Sequence, residues 1–421
     1  MNGEIVTIGD ELLLGFTIDT NAAHIARALA DEGISVVRRS TVGDDEHAIT
    51  PAVADALART GGVITTGGLG PTSDDRSKPA VAAIFGSAML LDEPTLDALR
   101  ERWKKRGLGD LPAANRNQAM VPQGATLLQN RHGSAPGIWL ENERHEWVAM
   151  LPGVPREMRG MLADELIPRL RTLGSVGGGG KVVASRTLRT TGVPESRIAD
   201  LIGELPLPTG VTLAYHPGWE GVDLRVTIRG VARAVASEQL AHAVATLRSP
   251  LGDIVYGEDG ADLAAIVVDA LRAHAWTIGV GESCTGGMLG MRLTAVPGAS
   301  DVVLGGVIAY ANRVKFDRLG VAESTLAEHG AVSVAVAREM ARGARTATGA
   351  TVGVGITGIA GPGGGTGDKP VGMVCIAVDA AGTVEATVGR YVGDRDEVRR
   401  RATQAALMLV RKFALRGSQN F

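Results

Sequence analysis

The chain is poor in cysteine, with only Cys284 and Cys375 among 421 residues. Two thiols build neither a disulfide framework nor a thiolate zinc site, and both read as small apolar residues of a reducing compartment. An excess of charge of one sign is also lacking, with 43 Lys and Arg against 46 Asp and Glu. No strong overall field therefore draws the chain to nucleic acid or to an acidic membrane. There is no run of about 18 apolar residues to cross a bilayer, and the opening MNGEIVTIGDELLLG lacks the basic segment of a signal peptide. The 57 glycines and 18 prolines make up under a fifth of the chain, below the roughly 25–30% of low-complexity disorder. The expectation is a soluble, cytoplasmic α/β protein of two or three domains.

Along the chain, strand and helix signals alternate over residues 1–172: strands over Glu4–Ile8, Ser35–Val42 and Val63–Thr66, helices over Asn21–Asp31 and His47–Arg59. That rhythm predicts a mainly parallel sheet with ligands at the carboxyl ends of its strands. The segment ends on a proline-started helix in LPGVPREM. After the glycine cluster Gly177–Gly180, residues 181–256 read as a small α+β module. In it Val222, Leu224, Val226 and Ile228 alternate with polar residues, and a helix spans Pro194–Leu205. The module is KH-like in outline. Its glycine-rich stretch precedes the first strand, however, and it has no basic stripe, so nucleic acid is not expected as a partner. A second α/β unit covers 260–415. It opens on an amphipathic helix (Leu263, Ile266, Val267, Ala270, Leu271) capped by Asp262 or Asp259.

In that last unit a strand over Trp276–Val280 runs into Glu282-Ser283-Cys284-Thr285-Gly286-Gly287 and a helix over Met288–Leu293. Helix-start amides are unpaired, so a serine there sits beside candidate oxyanion donors. The base that fits best is Lys315, since burial can bring a lysine toward neutrality and serine–lysine pairs are a variant of the serine triad. The competing readings are a helix N-cap for Ser283, a solvated surface for Lys315, and Cys284 as rival nucleophile or buried thiol. GITGIAGPGGGTGDKPVG (355–372) is a wide turn or an anion cradle and not a Walker loop, because no Gly-Lys-Ser/Thr closes it. Arg395 and Arg399, four apart, share a helical face and reach one mouth. In the first unit, Gly9-Asp10-Glu11 and GGLGPTSDD (67–75) both end strands. Glycine amides there suit a phosphate, and four carboxylates beside it suit a divalent ion of the Mg²⁺ kind. The alternative is that Asp74 or Asp75 caps the helix near Arg76–Phe85.

ESCTGG, Tyr310…Asn312…Lys315, GAVS (330–333) and GITGIAGPGGGT together resemble the C-terminal domain of the CinA family. The resemblance covers 260–415. It implies hydrolysis of the carboxamide of nicotinamide mononucleotide to nicotinate mononucleotide and ammonia, without a cofactor. Ser283 would be the nucleophile, Lys315 the base, and Tyr310 and Thr357 orienting groups. Thr285, Gly286, Asn312 and Gly358 would line the substrate, and Gly361, Gly363, Gly364, Gly365 and Thr366 with Arg399 would hold its phosphate. The N-terminal motifs, with Asn21 and Asn130…Gly133-Ser134-Ala135-Pro136-Gly137, resemble the molybdopterin-binding-like domain that opens CinA proteins. That likeness implies a metal-dependent ADP-ribose pyrophosphatase. Asp10, Glu11, Asp74 and Asp75 would stand on its metal side and Gly68, Gly70 and Thr72 at the phosphate. Ser77 stands where the family's threonine is expected, and TGVPES where GIGES is usual. The resemblance also implies a homodimer. The rival is a non-catalytic pterin-binding or competence-associated scaffold. The fold expected is two α/β domains joined by a KH-like α+β module.

Overall fold

The computed structural model describes residues 1–174, 181–380 and 383–417, apart from the side chains of residues 174, 181 and 417; Gly177–Gly180 lie outside the described residues. The chain forms two compact units. One is Met1–Ala184 with Ile228–Glu238, and the other Ser185–Thr227 with the chain from Gln239 onward. No helix among the described residues is long and apolar enough to cross a membrane.

The first unit holds β1 (Asn2–Ile8), β2 (Ser35–Val42), β3 (Gly62–Thr66), β4 (Met89–Leu91), β5 (Met120–Pro122), β6 (Thr126–Leu128), β7 (Gly137–Glu141) and β8 (Trp147–Leu151). The main sheet runs β2-β1-β3-β8-β7-β6. Its first four strands are parallel, as the βαβ rhythm predicts. The strands β7 and β6 enter antiparallel, a hairpin whose apolar run the sequence pattern alone did not separate from its surroundings. Alternation splits the apolar residues between two faces. Ile5, Ile64, Ala149 and Leu151 pack with the helix Thr20–Asp31 and the chain after Pro155. Val6, Val63, Val148 and Met150 pack with the helices Glu46–Thr60 and Ser77–Ile84.

The middle module has β9 (Lys181–Thr190), β10 (Thr212–Pro217), β11 (Val222–Ala232) and β12 (Val255–Glu258), in the order β10-β11-β9-β12. Val222, Leu224, Val226 and Ile228 form the buried face of β11, as their alternation predicts. The helix forecast over Pro194–Leu205 spans Glu195–Ile202, with Pro194 at its N-cap position.

The last sheet contains β13 (Ile278–Glu282), β14 (Val303–Ile308), β15 (Val352–Gly358), β16 (Met373–Ala380) and β17 (Thr383–Arg390), in the order β14-β13-β15-β16-β17. The strands β14, β13 and β15 are parallel, and β16 and β17 add as antiparallel strands. The two central strands read Ile-Gly-Val-Gly and Val-Gly-Val-Gly. Their branched residues fill one core face, and their glycines meet the helix Val334–Thr348. A Cβ on Gly355 would lie 2.2 Å from the Ala337 carbonyl oxygen, and one on Gly279 2.1 Å from the Thr348 hydroxyl. The helix therefore lies directly against bare backbone. On its far side Gly343 has the same role, since a Cβ there would lie 1.9 Å from the Leu319 carbonyl oxygen. Leu319 ends the helix Asn312–Leu319.

Because backbone atoms flank the missing side chain, Gly355→Ala should destabilise the fold by about 1–3 kcal/mol or more. Urea unfolding followed by circular dichroism checks this. An unchanged midpoint would mean that the helix can withdraw at no cost.

Candidate active sites

Each α/β fold carries a site at the carboxyl ends of its parallel strands. At the end of β13, Glu282 is buried and its carboxylate accepts from the backbone N–H of Gly287 (3.0 Å), Leu289 (3.1 Å) and Gly290 (2.8 Å). This corrects the expectation of open helix-start donors: the start of the helix Met288–Thr294 is already occupied by Glu282. A buried anion at unpaired helix amides is electrostatically favourable, so the acid at the strand end selects this arrangement. Ser283 is therefore not the cap. Its own N–H donates to the Ile356 carbonyl at 2.9 Å, fixing it beside Thr357 of β15. Of the turn's amides, those of Cys284 and Thr285 make no bond to an oxygen among the described residues, and both lie against the Cys284 sulfur.

Lys315 is 2% exposed and lies on the helix Asn312–Leu319, an element that sequence reasoning missed. The Ala309 N–H donates to the Glu282 carbonyl at 2.7 Å, so the turn leading to that helix starts beside Ser283. The Nζ of Lys315 donates to the Tyr310 carbonyl at 3.4 Å, and its charge is felt at the Cys284 thiol. Burial, with no carboxylate partner among the described residues, holds the Lys315 pKa below its ordinary value. Burial pushes the Cys284 thiol the other way, up to about 12. Cys284 belongs to the apolar core, which favours the buried-thiol reading over the rival nucleophile.

Both arginines engage the mouth of this site, by different contacts. Arg395 donates to the Gly361 carbonyl (2.6 Å) and to the Tyr310 hydroxyl (2.6 Å). Arg399 donates to the Thr285 carbonyl (2.9 Å) and lies 3.5 Å from where a Gly286 Cβ would be. The glycine loop is closed by Thr366, whose N–H donates to the Lys369 carbonyl (2.8 Å) and whose hydroxyl accepts the Lys369 N–H (3.1 Å). Gly363, Gly364 and Gly365 are exposed, Gly358 ends β15, and the exposed Asn312 opens the lysine helix. Thr357 is buried and donates to the Ala331 carbonyl (2.7 Å), tying β15 to the GAVS segment.

In the first unit a cavity of about 450 Å³ is lined by Glu11, Asn21, Asp44, Gly68, Gly70, Asp74, Asp75 and Glu157 among others. The dispersed motifs meet there: Asn21 Nδ2 donates to the Gly153 carbonyl (2.7 Å), and Asn130 Nδ2 to the Glu157 carboxylate (2.5 Å). Neither Asp74 nor Asp75 caps the helix Ser77–Ile84. Asp75 instead clasps the preceding turn, accepting from the Gly70 N–H (2.6 Å) and from the Thr72 N–H and hydroxyl (both 2.7 Å). Those donors are thereby engaged. Ser77, buried, keeps the hydroxyl in use by donating to the Gly67 carbonyl (2.8 Å).

Asp44 is a member of this site that sequence reasoning missed. It accepts from the Asp10 N–H at 3.0 Å, and burial together with the charges of Asp10, Glu11 and Asp74 raises its pKa. Its sequence signal is its place just after β2, at the carboxyl edge of the sheet. Lys78 does not line the cavity, though the charge of Asp75 is felt at it. It is buried, bonded to the Asn117 carbonyl, and brought down by burial to about 8. Among the described residues no three His, Cys, Asp or Glu side chains converge closely enough to hold a metal ion. The four carboxylates expected on the metal side therefore do not form a cation site by themselves.

The family model described as the CinA C-terminal domain matches residues 260–414. A probable molybdopterin binding domain matches 4–172, and a damage-inducible protein CinA KH domain 185–257. A CinA-like protein of Gemmatimonas aurantiaca is 56% identical over 98% of this chain and 96% of its own length. The chain belongs to the CinA family. A CinA-like protein of Desulfovibrio desulfuricans is 43% identical over 98% of this chain and 96% of its own length. A putative competence-damage inducible protein of Moorella thermoacetica is 40% identical over 97% of this chain and 98% of its own. Among solved structures, the competence/damage inducible protein CihA from Agrobacterium tumefaciens is 40% identical, covering 35% of this chain and 90% of that one, with a TM-score of 0.34. Of the CinA family's three domain types, the first and last carry these sites.

Since Cys284 and Cys375 are both buried and burial raises both thiols, neither should react with an aromatic disulfide reagent at pH 8 in the native chain. Both should react in denaturant. Rapid native labelling at Cys284, read by peptide mass, would reopen the thiol as a nucleophile.

Proposed function

We propose that the C-terminal half is a serine–lysine amidohydrolase acting on nicotinamide mononucleotide. The observation that carries this reading is the buried lysine, without a carboxylate partner, next to the serine turn and under the mouth framed by Arg395 and Arg399. Lys315, whose pKa burial lowers, in its neutral form accepts the Ser283 proton as Oγ attacks the carboxamide carbon. The developing oxyanion is met by the amides of Cys284 and Thr285, which exchange their contact with the Cys284 sulfur for it. Collapse of the tetrahedral species breaks the C–N bond. Ammonia leaves with the proton returned by Lys315, and a nicotinoyl ester remains on Ser283. Water, activated by the same lysine, attacks that ester, releases nicotinate mononucleotide and restores the serine. Arg399 and the Gly361–Thr366 loop hold the substrate phosphate. Tyr310, kept in place by Arg395, and Thr357 orient the ring.

The N-terminal cavity, with its glycine turn and acidic wall, supports the second activity, cleavage of ADP-ribose to AMP and ribose 5-phosphate. Its dependence on a divalent ion follows from the family resemblance alone.

Ser283→Ala should abolish ammonia release while leaving AMP release from ADP-ribose within about twofold, and EDTA should do the reverse. Equal loss of both activities in Ser283→Ala would overturn the assignment of separate sites. Because the neutral lysine is the active form, kcat/KM for the amidase should rise with pH. Its apparent pKa should lie below the ordinary lysine value of about 10.4. Lys315→Ala should lower kcat far more than it raises KM.

A further inference from the structure

The cavity of the first unit has a lining of one sign. Six carboxylate side chains line it and no Lys, Arg or His does, and the Gly70 and Thr72 amides of its glycine turn are taken by Asp75. A nucleotide diphosphate is itself an anion, and such a lining repels it.

Positive charge lies beside it. A second cavity of the same unit, of about 410 Å³, is lined by Arg102, Lys105, Arg106, Arg131 and Arg156, with Glu101 as its one acid. The ion pairs of the helix Glu93–Lys105 are Arg100 with Asp97 and Lys105 with Glu101. Among the described residues, none of the four arginines of the pocket has a carboxylate within ion-pair distance.

These cations come from three segments. Arg102 and Lys105 end the helix Glu93–Lys105, where the helix dipole favours a cation whatever its use. Arg131 and Arg156 have no such reason. Arg131 lies in the turn after β6, and Arg156 in the first turn of the helix Pro155–Met161, the end at which the dipole disfavours a cation. Arg156 is held there by donating to the His132 carbonyl at 2.7 Å. The His132 ring in turn lies on Gly160, where a Cβ would come within 2.0 Å of it, and its Nε2 is 2.9 Å from the Asp164 carboxylate. The turn that carries Arg131 and anchors Arg156 is thus fixed against the helix.

Four uncompensated guanidinium groups on one concave surface suit an anion of several charges whose oxygens pair two at a time. That is the chemistry of a diphosphate. We propose that this pocket binds the diphosphate group of a nucleotide ahead of its entry into the neighbouring cavity. The two share their walls: Gly133 and Arg156 line the pocket, and the residues that follow them, Ser134 and Glu157, line the cavity. Consecutive Cα atoms are about 3.8 Å apart, well inside the screening length of about 8 Å at physiological salt. The pocket therefore offsets the acidic wall and concentrates the anion at its edge. The anion site stands on the pocket's own residues; its entry role rests on the ADP-ribose reading.

The test is calorimetric titration of inorganic pyrophosphate into the metal-free full chain, at low and at physiological salt. Wild type should bind it, more weakly as salt rises. Arg102→Gln combined with Arg131→Gln should weaken binding about tenfold. Arg100→Gln combined with Lys104→Gln removes the same charge from the same helix outside the pocket, and should leave binding within about twofold. With ADP-ribose and a divalent ion, the pocket variant should lower kcat/KM about tenfold at unchanged kcat. Absence of pyrophosphate binding by wild type at millimolar concentration, or equal losses in the two variants, overturns the site. Loss of pyrophosphate with kcat/KM unchanged overturns the entry role and leaves an adventitious ion only. A wild-type chain that binds pyrophosphate through these arginines yet never cleaves ADP-ribose supports the site and removes the ADP-ribose reading instead.

Discussion

The C-terminal site depends on backbone meeting backbone where side chains are missing. The bare face of β13 and β15 lets the helix Val334–Thr348 settle onto the sheet, and Gly343 lets the helix Asn312–Leu319 settle onto that one. Each contact is set by van der Waals distance, so the positions of Ser283, Thr357 and Lys315 follow from one stack with little play. Larger side chains at those glycines would fill the same volume but would hold the lysine helix away from the serine turn.

Within that stack two buried charges have opposite roles. Glu282 is satisfied by three helix amides and fixes the turn. Lys315 has only a carbonyl at 3.4 Å, so burial weakens its hold on its proton. The first unit shows the same contrast. Asp75 is satisfied by the turn it clasps, whereas burial, and after it the charges of Asp10, Glu11 and Asp74, raises the pKa of Asp44. In each site the carboxylate held by several backbone amides shapes the loop.

Much of this was legible in the sequence. Short strand-like runs in a βα rhythm located the parallel strands β1, β2, β3 and β13, and period-two alternation located both faces of β11. The residues Ser283, Lys315, Arg395 and Arg399 were legible as types at strand ends and on one helical face. The role of Glu282 was not, since an acid before Ser-Cys-Thr-Gly-Gly reads as part of a motif until its carboxylate is seen to fold back on the helix. The lysine helix was missed because its apolar residues are few and its one buried charge contradicts amphipathic patterning. Asp44 was missed because its proximity to Asp10 and Glu11 comes from a crossover between distant segments, which local pattern does not encode.

The central claim is covalent catalysis by Ser283 with Lys315 as its base, and the acyl-enzyme tests it most directly. The chain would be mixed with nicotinamide mononucleotide in EDTA, quenched in acid within milliseconds to seconds, and digested for peptide mass analysis. The account predicts a nicotinoyl-nucleotide ester on the peptide containing Ser283, formed no more slowly than ammonia appears and absent from Ser283→Ala. Ammonia released at wild-type rate by Ser283→Ala, with no ester on either chain, would contradict it.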